Sequence, residues 1–141
     1  MSKEEIKHIL VPLDGSNSSE KGLNKAIYIA KLTGAEITGL NVVVIYPTLA
    51  AAVVNYKKFI TEKSEKMLDA VKQNCEKNGI KFTGKILYGK PSTKISEYAQ
   101  KEKFDIIIIG SRGLSGLKRT MLGSISSATI QKSKVSVLVV K

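Results

Sequence analysis

Between Gly110 and Ser126 the chain reads GSRGLSGLKRTMLGSIS, where four glycines and a set of hydroxyl side chains are interleaved with Arg112, Lys118 and Arg119. This combination suits an anion. Glycine lets backbone N–H groups approach an oxyanion with no Cβ in the way, and Ser124 and Ser126 offer hydroxyl donors. A helix starting near Gly123 and Ser124 would turn its unpaired amides and positive dipole end toward the same place. A second polar group stands far off in sequence, at Asp14-Gly15-Ser16-Asn17. A carboxylate there suits ribose hydroxyls or an exocyclic amine as an acceptor, and equally suits an Asx turn or helix cap.

Other chemistries lack their residues. No G-x-x-x-x-G-K-[ST] occurs and no G-x-G-x-x-G follows the first β-rich segment, which disfavours a P-loop nucleotidase and a dinucleotide-binding oxidoreductase. One cysteine, Cys75, and one histidine, His8, cannot build a zinc site or an internal disulfide. His8 precedes the C-terminal end of its strand, the wrong edge for a catalytic base, and reads as a structural or surface residue.

The elements that must position these groups follow from hydrophobic patterning. Ile6 to Leu13 reads as a strand, and Ser18 to Thr33 as a helix with Leu23, Ala26, Ile27 and Ala30 at helical spacing, Ser18 or Ser19 as cap and Gly34 as stop. Glu36 to Ile45 is a second strand, whose run Val42 to Ile45 suits burial on both faces. Leu49 to Asn78 reads as a long helix with a stripe of Tyr56, Ile60, Met67, Val71 and Cys75, its lysines on the solvated side. Lys81 to Tyr88 is a third strand. Pro91 opens a short helix lined by Ile95, Tyr98 and Ala99, and Ile106 to Ile109 is a central strand ending at Gly110. Ser124 to Lys132 is the last helix and Val135 to Val140 the last strand.

Strands alternating with helices predict an α/β fold: a single doubly wound, five-stranded parallel sheet in the order 3-2-1-4-5, with helices on both faces. In that order the loops after strands one and four meet at the switch point where such sheets bind ligands. Topology therefore brings Asp14 and the glycine segment to one crevice.

With this pattern, Gly110-x2-Gly113-x9-Gly123-Ser124, the chain resembles the ATP-binding branch of the universal stress proteins. The resemblance extends through Ile9-Leu10-Val11-Pro12-Leu13-Asp14-Gly15-Ser16, Gly89-Lys90-Pro91 and Val135 to Val140. It implies a nucleotide-binding domain over residues 1–141. It implies that Asp14 faces the adenosine, with Pro12 and Leu13 beside the base and Val42 at an adenine-contacting backbone position. Gly110, Gly113, Gly123 and Ser124 would hold phosphate, continued by Ile125 and Ser126, with Arg112 inside the motif. The cofactor would be ATP, with magnesium or manganese.

The chain has 141 residues, room for one compact domain, and a net charge of +11 that favours anionic partners. Its first residues lack the apolar core of a secretory signal, and the apolar stretch Val42 to Val54 is shorter than the roughly 20 residues that span a bilayer. A cytoplasmic protein without membrane attachment is expected. Among 23 cations only Arg112 and Arg119 are arginines, so nucleic-acid binding, which favours arginine forks and aromatic platforms, is an alternative but not the favoured one. A nucleotide-dependent regulator or switch leads. A slow metal-dependent ATP hydrolase is second, because the glycine segment holds cations but no carboxylate to orient water. The last strand, apolar and at the sheet edge, predicts a homodimer through Val135 to Val140.

Overall fold

The computed structural model describes residues 4–44, 53–112 and 122–141. Strands and helices alternate: β1 (His8–Pro12), α1 (Asn17–Thr33), β2 (Glu36–Val43), α2 (Val53–Lys77), β3 (Phe82–Tyr88), α3 (Pro91–Lys101), β4 (Ile106–Gly110), α4 (Ser124–Lys132) and β5 (Ser136–Val140). The strands form one sheet in the order β3-β2-β1-β4-β5, every pairing parallel. Each parallel neighbour requires a crossover, and the helices supply it.

Side chains alternate across the strands, so each face of the sheet builds its own core. Ile9, Val11, Ile37 and Ile108 pack on one face with Leu23, Ala26 and Ile27 of α1 and Leu68 and Cys75 of α2. On the other face Leu10, Leu40, Ile107 and Ile109 pack with Ile95 and Ala99 of α3. The doubly wound fold is thus as expected, with apolar β-branched runs at the centre because both faces are covered.

α1 lies unusually close to β4, and two glycines permit it. A Cβ on Gly22 would stand 3.1 Å from the Gly110 nitrogen, and one on Gly110 would stand 2.6 Å from both the carbonyl carbon and Oγ of Ser18. Gly110 therefore has a packing reason that its place in a glycine segment did not reveal.

Several local expectations are corrected. The N-cap of α1 is Ser16, whose side chain accepts from the Ser19 amide, rather than Ser18 or Ser19. The Asx turn at Asp14 holds the Ser16 amide, and the helix starts at Asn17, one residue earlier than expected. Gly34 does end it, at φ +77° with its N–H donating to the Ala30 carbonyl. β2 stops at Val43 and Val44 is 38% exposed, so the continuous apolar run outlasts the strand. On α2 the buried stripe includes Ser64 and Leu68, whereas Tyr56 and Phe59 are exposed. Lys57, expected in solvent, stands 4.4 Å from the centre of the Tyr88 ring, a cation–π contact. Ile45 and the expected helix start at Leu49 lie outside the described residues.

Candidate functional site

β1 and β4 pair at Ile9↔Ile106 and Leu10↔Ile107, then part toward their C-terminal ends. The gap between them is a cleft of about 330 Å³. Pro12, Leu13 and Asp14 come to it from the end of β1, Val42 from β2, Gly110 and Arg112 from the end of β4, and Gly123, Ser124, Ile125 and Ser126 from the start of α4. All the candidates from sequence line this one cleft except Gly113, which lies outside the described residues. Leu40, Ile109, Pro91 and Ile95 also line it, and sequence reasoning passed them over. Leu40 and Val42 share a face of β2, so period-two alternation was the signal that could have found the first.

The cleft is chemically divided. Pro12, Leu40, Val42, Ile95 and Ile109 make an apolar wall, while Asp14, Arg112 and the first turn of α4 are polar. An apolar slot with a few placed polar groups is the usual form of a small-molecule site.

At the polar end, α4 differs from α1. Ser16 caps α1 from within, but the cap of α4 is Gly123, with no side-chain bond to the first turn. The amides of Ser124, Ile125 and Ser126 occupy the turn where helices lack intrahelical acceptors, at the cleft wall. Two expected contributions are revised. The Gly123 amide donates to the Ser111 carbonyl at 2.6 Å, so it holds the loop together. The Ser126 hydroxyl donates to the Gly110 carbonyl at 2.7 Å and is buried, so its proton ties α4 to the end of β4. What remains for an anion is the backbone of the first turn and the exposed Ser124 hydroxyl.

Asp14 is partly buried, and one carboxylate oxygen, Oδ1, accepts from the Ser16 amide at 2.9 Å. The Asx-turn reading holds, and the second oxygen has no partner among the described residues. Gly15 follows at φ +83°, a left-handed conformation that lets the chain turn into α1. The Arg112 amide donates to Ser18 Oγ at 3.0 Å, which fixes the first residues after β4 against α1.

His8 sits at the opposite, N-terminal end of the central strand β1, 3.6 Å from a Glu36 carboxylate oxygen, as a surface residue. Nearby, the Lys7 and His8 amides donate to one Asp105 oxygen. Among the described residues no group of three or more His, Cys, Asp or Glu could hold a metal, and no helix is long and apolar enough to cross a membrane.

Comparison with known proteins shows the family and the fold. The model of the universal stress protein family matches residues 5–141. Universal stress protein MJ0531 of Methanocaldococcus jannaschii is 35% identical over 139 residues, covering 96% of this chain and 82% of the relative. The solved structure of MJ0577, from the same organism and reported as a structure-based assignment of biochemical function, superposes with a TM-score of 0.87 at 33% identity, over 96% of this chain and 95% of the other. A universal stress protein family member from Arabidopsis thaliana, solved with AMP bound, shares the fold at a TM-score of 0.73 and 18% identity, over 96% of this chain and 91% of the other.

Proposed function

The chain belongs to the universal stress protein family, and from that premise we propose that it binds ATP in the cleft between the ends of β1 and β4 and acts as a nucleotide-dependent regulator. The observation that carries the reading is the division of the cleft. Its apolar wall of Pro12, Leu40, Val42 and Ile109 suits the faces of a purine, and Asp14 suits ribose hydroxyls. The uncapped first turn of α4 suits phosphate oxygens. The relative solved with AMP makes adenine the base to test first.

Magnesium or manganese would arrive with the phosphates, since metal charge is needed mainly to balance the nucleotide. The binding residues on this chain are Pro12, Leu13, Asp14 and Val42 toward adenosine, and Gly110, Arg112, Gly113, Gly123, Ser124, Ile125 and Ser126 toward phosphate. Within that set Ser126 and Gly110 act on each other, holding the α4 turn at the cleft. Among the described lining residues Asp14 is the one carboxylate, and no histidine or glutamine accompanies it. Binding and release, rather than rapid hydrolysis, are what such a lining supports. The protein works in the cytoplasm in this reading, where its lone buried thiol stays reduced.

The regulator is a homodimer through Val135 to Val140. β5 is an edge strand whose other neighbour is β4, and its residues from Val137 to Val140 are only partly buried. A second copy of the strand would complete the edge.

Mass spectrometry of small molecules released from the purified protein, followed by calorimetric titration with ATP and magnesium, tests the reading. Copurified adenine nucleotide, or saturable 1:1 binding lost in Gly123→Val, supports it. A folded protein that neither carries nor binds an adenine nucleotide overturns it.

A further inference from the structure

Asn41 is a polar side chain on the face of β2 that packs under α2. Its amide is committed at both ends. Nδ2 donates to the Leu13 carbonyl at 2.7 Å, and Oδ1 accepts from Ser64 Oγ of α2, also at 2.7 Å. The two bonds define each other: a carbonyl needs the NH2 group, which leaves the amide oxygen for the hydroxyl. Ser64 is buried and Asn41 partly so, which makes each lost partner costly.

The acceptor is what gives this pair its meaning. β1 ends at Pro12, and the Leu13 amide continues the ladder once more by donating to the Leu40 carbonyl at 2.8 Å. The Leu13 carbonyl belongs to the next peptide unit, whose nitrogen is that of Asp14. The Leu13–Asp14 peptide plane is thus held from one side by Asn41, just where the chain leaves the sheet. Beyond it come the Asx turn and Gly15 at φ +83°. Rotation of that plane would swing the Asp14 Cα and redirect the carboxylate, because only soft φ and ψ angles separate them.

We infer that Asn41 is a positioning residue that sets the direction of the Asp14 carboxylate, with Ser64 of α2 setting the orientation of Asn41. This rests on the proposed nucleotide site, of which Asp14 is the adenosine-facing group. The chain of contacts also makes α2 sensitive to that end of the cleft: a displacement of Ser64 is transmitted through one amide to the peptide that carries Asp14.

The test uses the full-length protein, with variants Asn41→Leu, Ser64→Ala and Ser64→Thr. Two probes separate the ends of the cleft: adenosine, and inorganic tripolyphosphate. Asn41→Leu, nearly the same size without the donor, is expected to lower adenosine affinity about tenfold and leave tripolyphosphate affinity within about twofold. Ser64→Ala is expected to lower it less, and Ser64→Thr, which keeps the hydroxyl, to restore it. In an Asp14→Ala background Asn41→Leu is expected to have no further effect on adenosine, since a positioning residue has nothing left to position. Equal losses for both probes, or an undiminished loss in the Asp14→Ala background, would overturn the inference.

A readout free of ligand keeps it distinct from the nucleotide reading. The Ser16 amide donates to Asp14 Oδ1, so its hydrogen exchange by NMR reports the carboxylate direction directly. Asn41→Leu is expected to speed that exchange about tenfold while α1 amides beyond its first turn keep their protection. Unchanged Ser16 exchange refutes the positioning role even if nucleotide binds. Faster exchange in a protein that binds neither probe supports the positioning and sinks the nucleotide site.

Discussion

Replacing Gly110 by alanine adds one methyl group where α1 and β4 approach each other closely. The new Cβ would stand 2.6 Å from both the Ser18 carbonyl carbon and Oγ, and the nearest atoms are α1 backbone rather than the end of a flexible side chain. The Ser18 carbonyl oxygen is nearer still, so reaching ordinary contact distance requires α1 to withdraw by about 1 Å. Overpacking of this kind costs about 1–3 kcal/mol. Withdrawal also weakens the bond from the Arg112 amide to Ser18 Oγ, worth about 1 kcal/mol. Opposing these, a glycine to alanine change where φ is negative gains about 0.4–1 kcal/mol from the unfolded chain. Gly110 is not among the positive-φ glycines, so this gain applies. The net is a loss of about 1–3.5 kcal/mol, or roughly 3–12 °C in Tm for a chain of this size. Urea unfolding followed by far-UV circular dichroism measures it, with an unchanged m-value confirming that only stability moved. Gly34→Ala is the control: its Cβ meets nothing within 4 Å, and its cost is only the left-handed φ of +77°, about 1–2 kcal/mol. A Gly110→Ala midpoint within about 0.5 kcal/mol of the parent would refute the tight α1–β4 contact and return Gly110 to a role in phosphate approach alone.

Three further outcomes are expected. Gly123→Val places a branched side chain at the cap of α4 and lowers ATP affinity by at least about tenfold, ~1.4 kcal/mol, in calorimetry; wild-type affinity in the folded variant would remove the phosphate end from this helix. Burial, with the Glu76 charge adding to it, pushes the Cys75 thiol up to about 11, against about 8.5 in an unfolded chain. The folded state therefore holds the proton longer, and the thiol's contribution is complete below the unfolded value and lost as pH rises through about 11. Cys75→Ala should show a shallower decline of urea stability over this alkaline range, and a decline as steep as the parent's would refute the assignment. Sedimentation equilibrium at micromolar concentration should give the mass of a dimer, while Val139→Lys on β5 shifts it toward monomer; a parent of monomer mass with or without ATP sinks the edge-pairing proposal.

The elements and their order were legible because each carries its own period. Ile106 to Ile109 is too short and β-branched for a helix, Gly34 marks a left-handed stop, and Pro91 falls where its missing N–H is harmless. The alternation then leaves few sheet orders, and the order found puts Asp14 and Ser124 at one switch point. What stayed illegible was the allocation of individual donors. Ser126 and Gly123 look from their types like anion ligands, yet one bonds the Gly110 carbonyl and the other the Ser111 carbonyl. Residue type states what a group is able to bond, while its partner depends on which backbone arrives beside it.

By itself the sequence determined the α/β alternation, the strand order and the family, and brought Asp14 and the start of α4 to one cleft, because hydrophobic period and turn chemistry act over a few residues at a time. Only the tertiary structure decided that Gly110 must lack a side chain for α1 to pass, that Ser16 rather than Ser18 or Ser19 caps the helix, and that Asn41, held by Ser64, reaches the peptide before Asp14. These depend on contacts between residues 92, 28 and 23 positions apart, Ser18 with Gly110, Leu13 with Asn41 and Asn41 with Ser64, and on the Asx turn that places Ser16. No local pattern records such distances, since they are set by how closely one helix settles on the sheet.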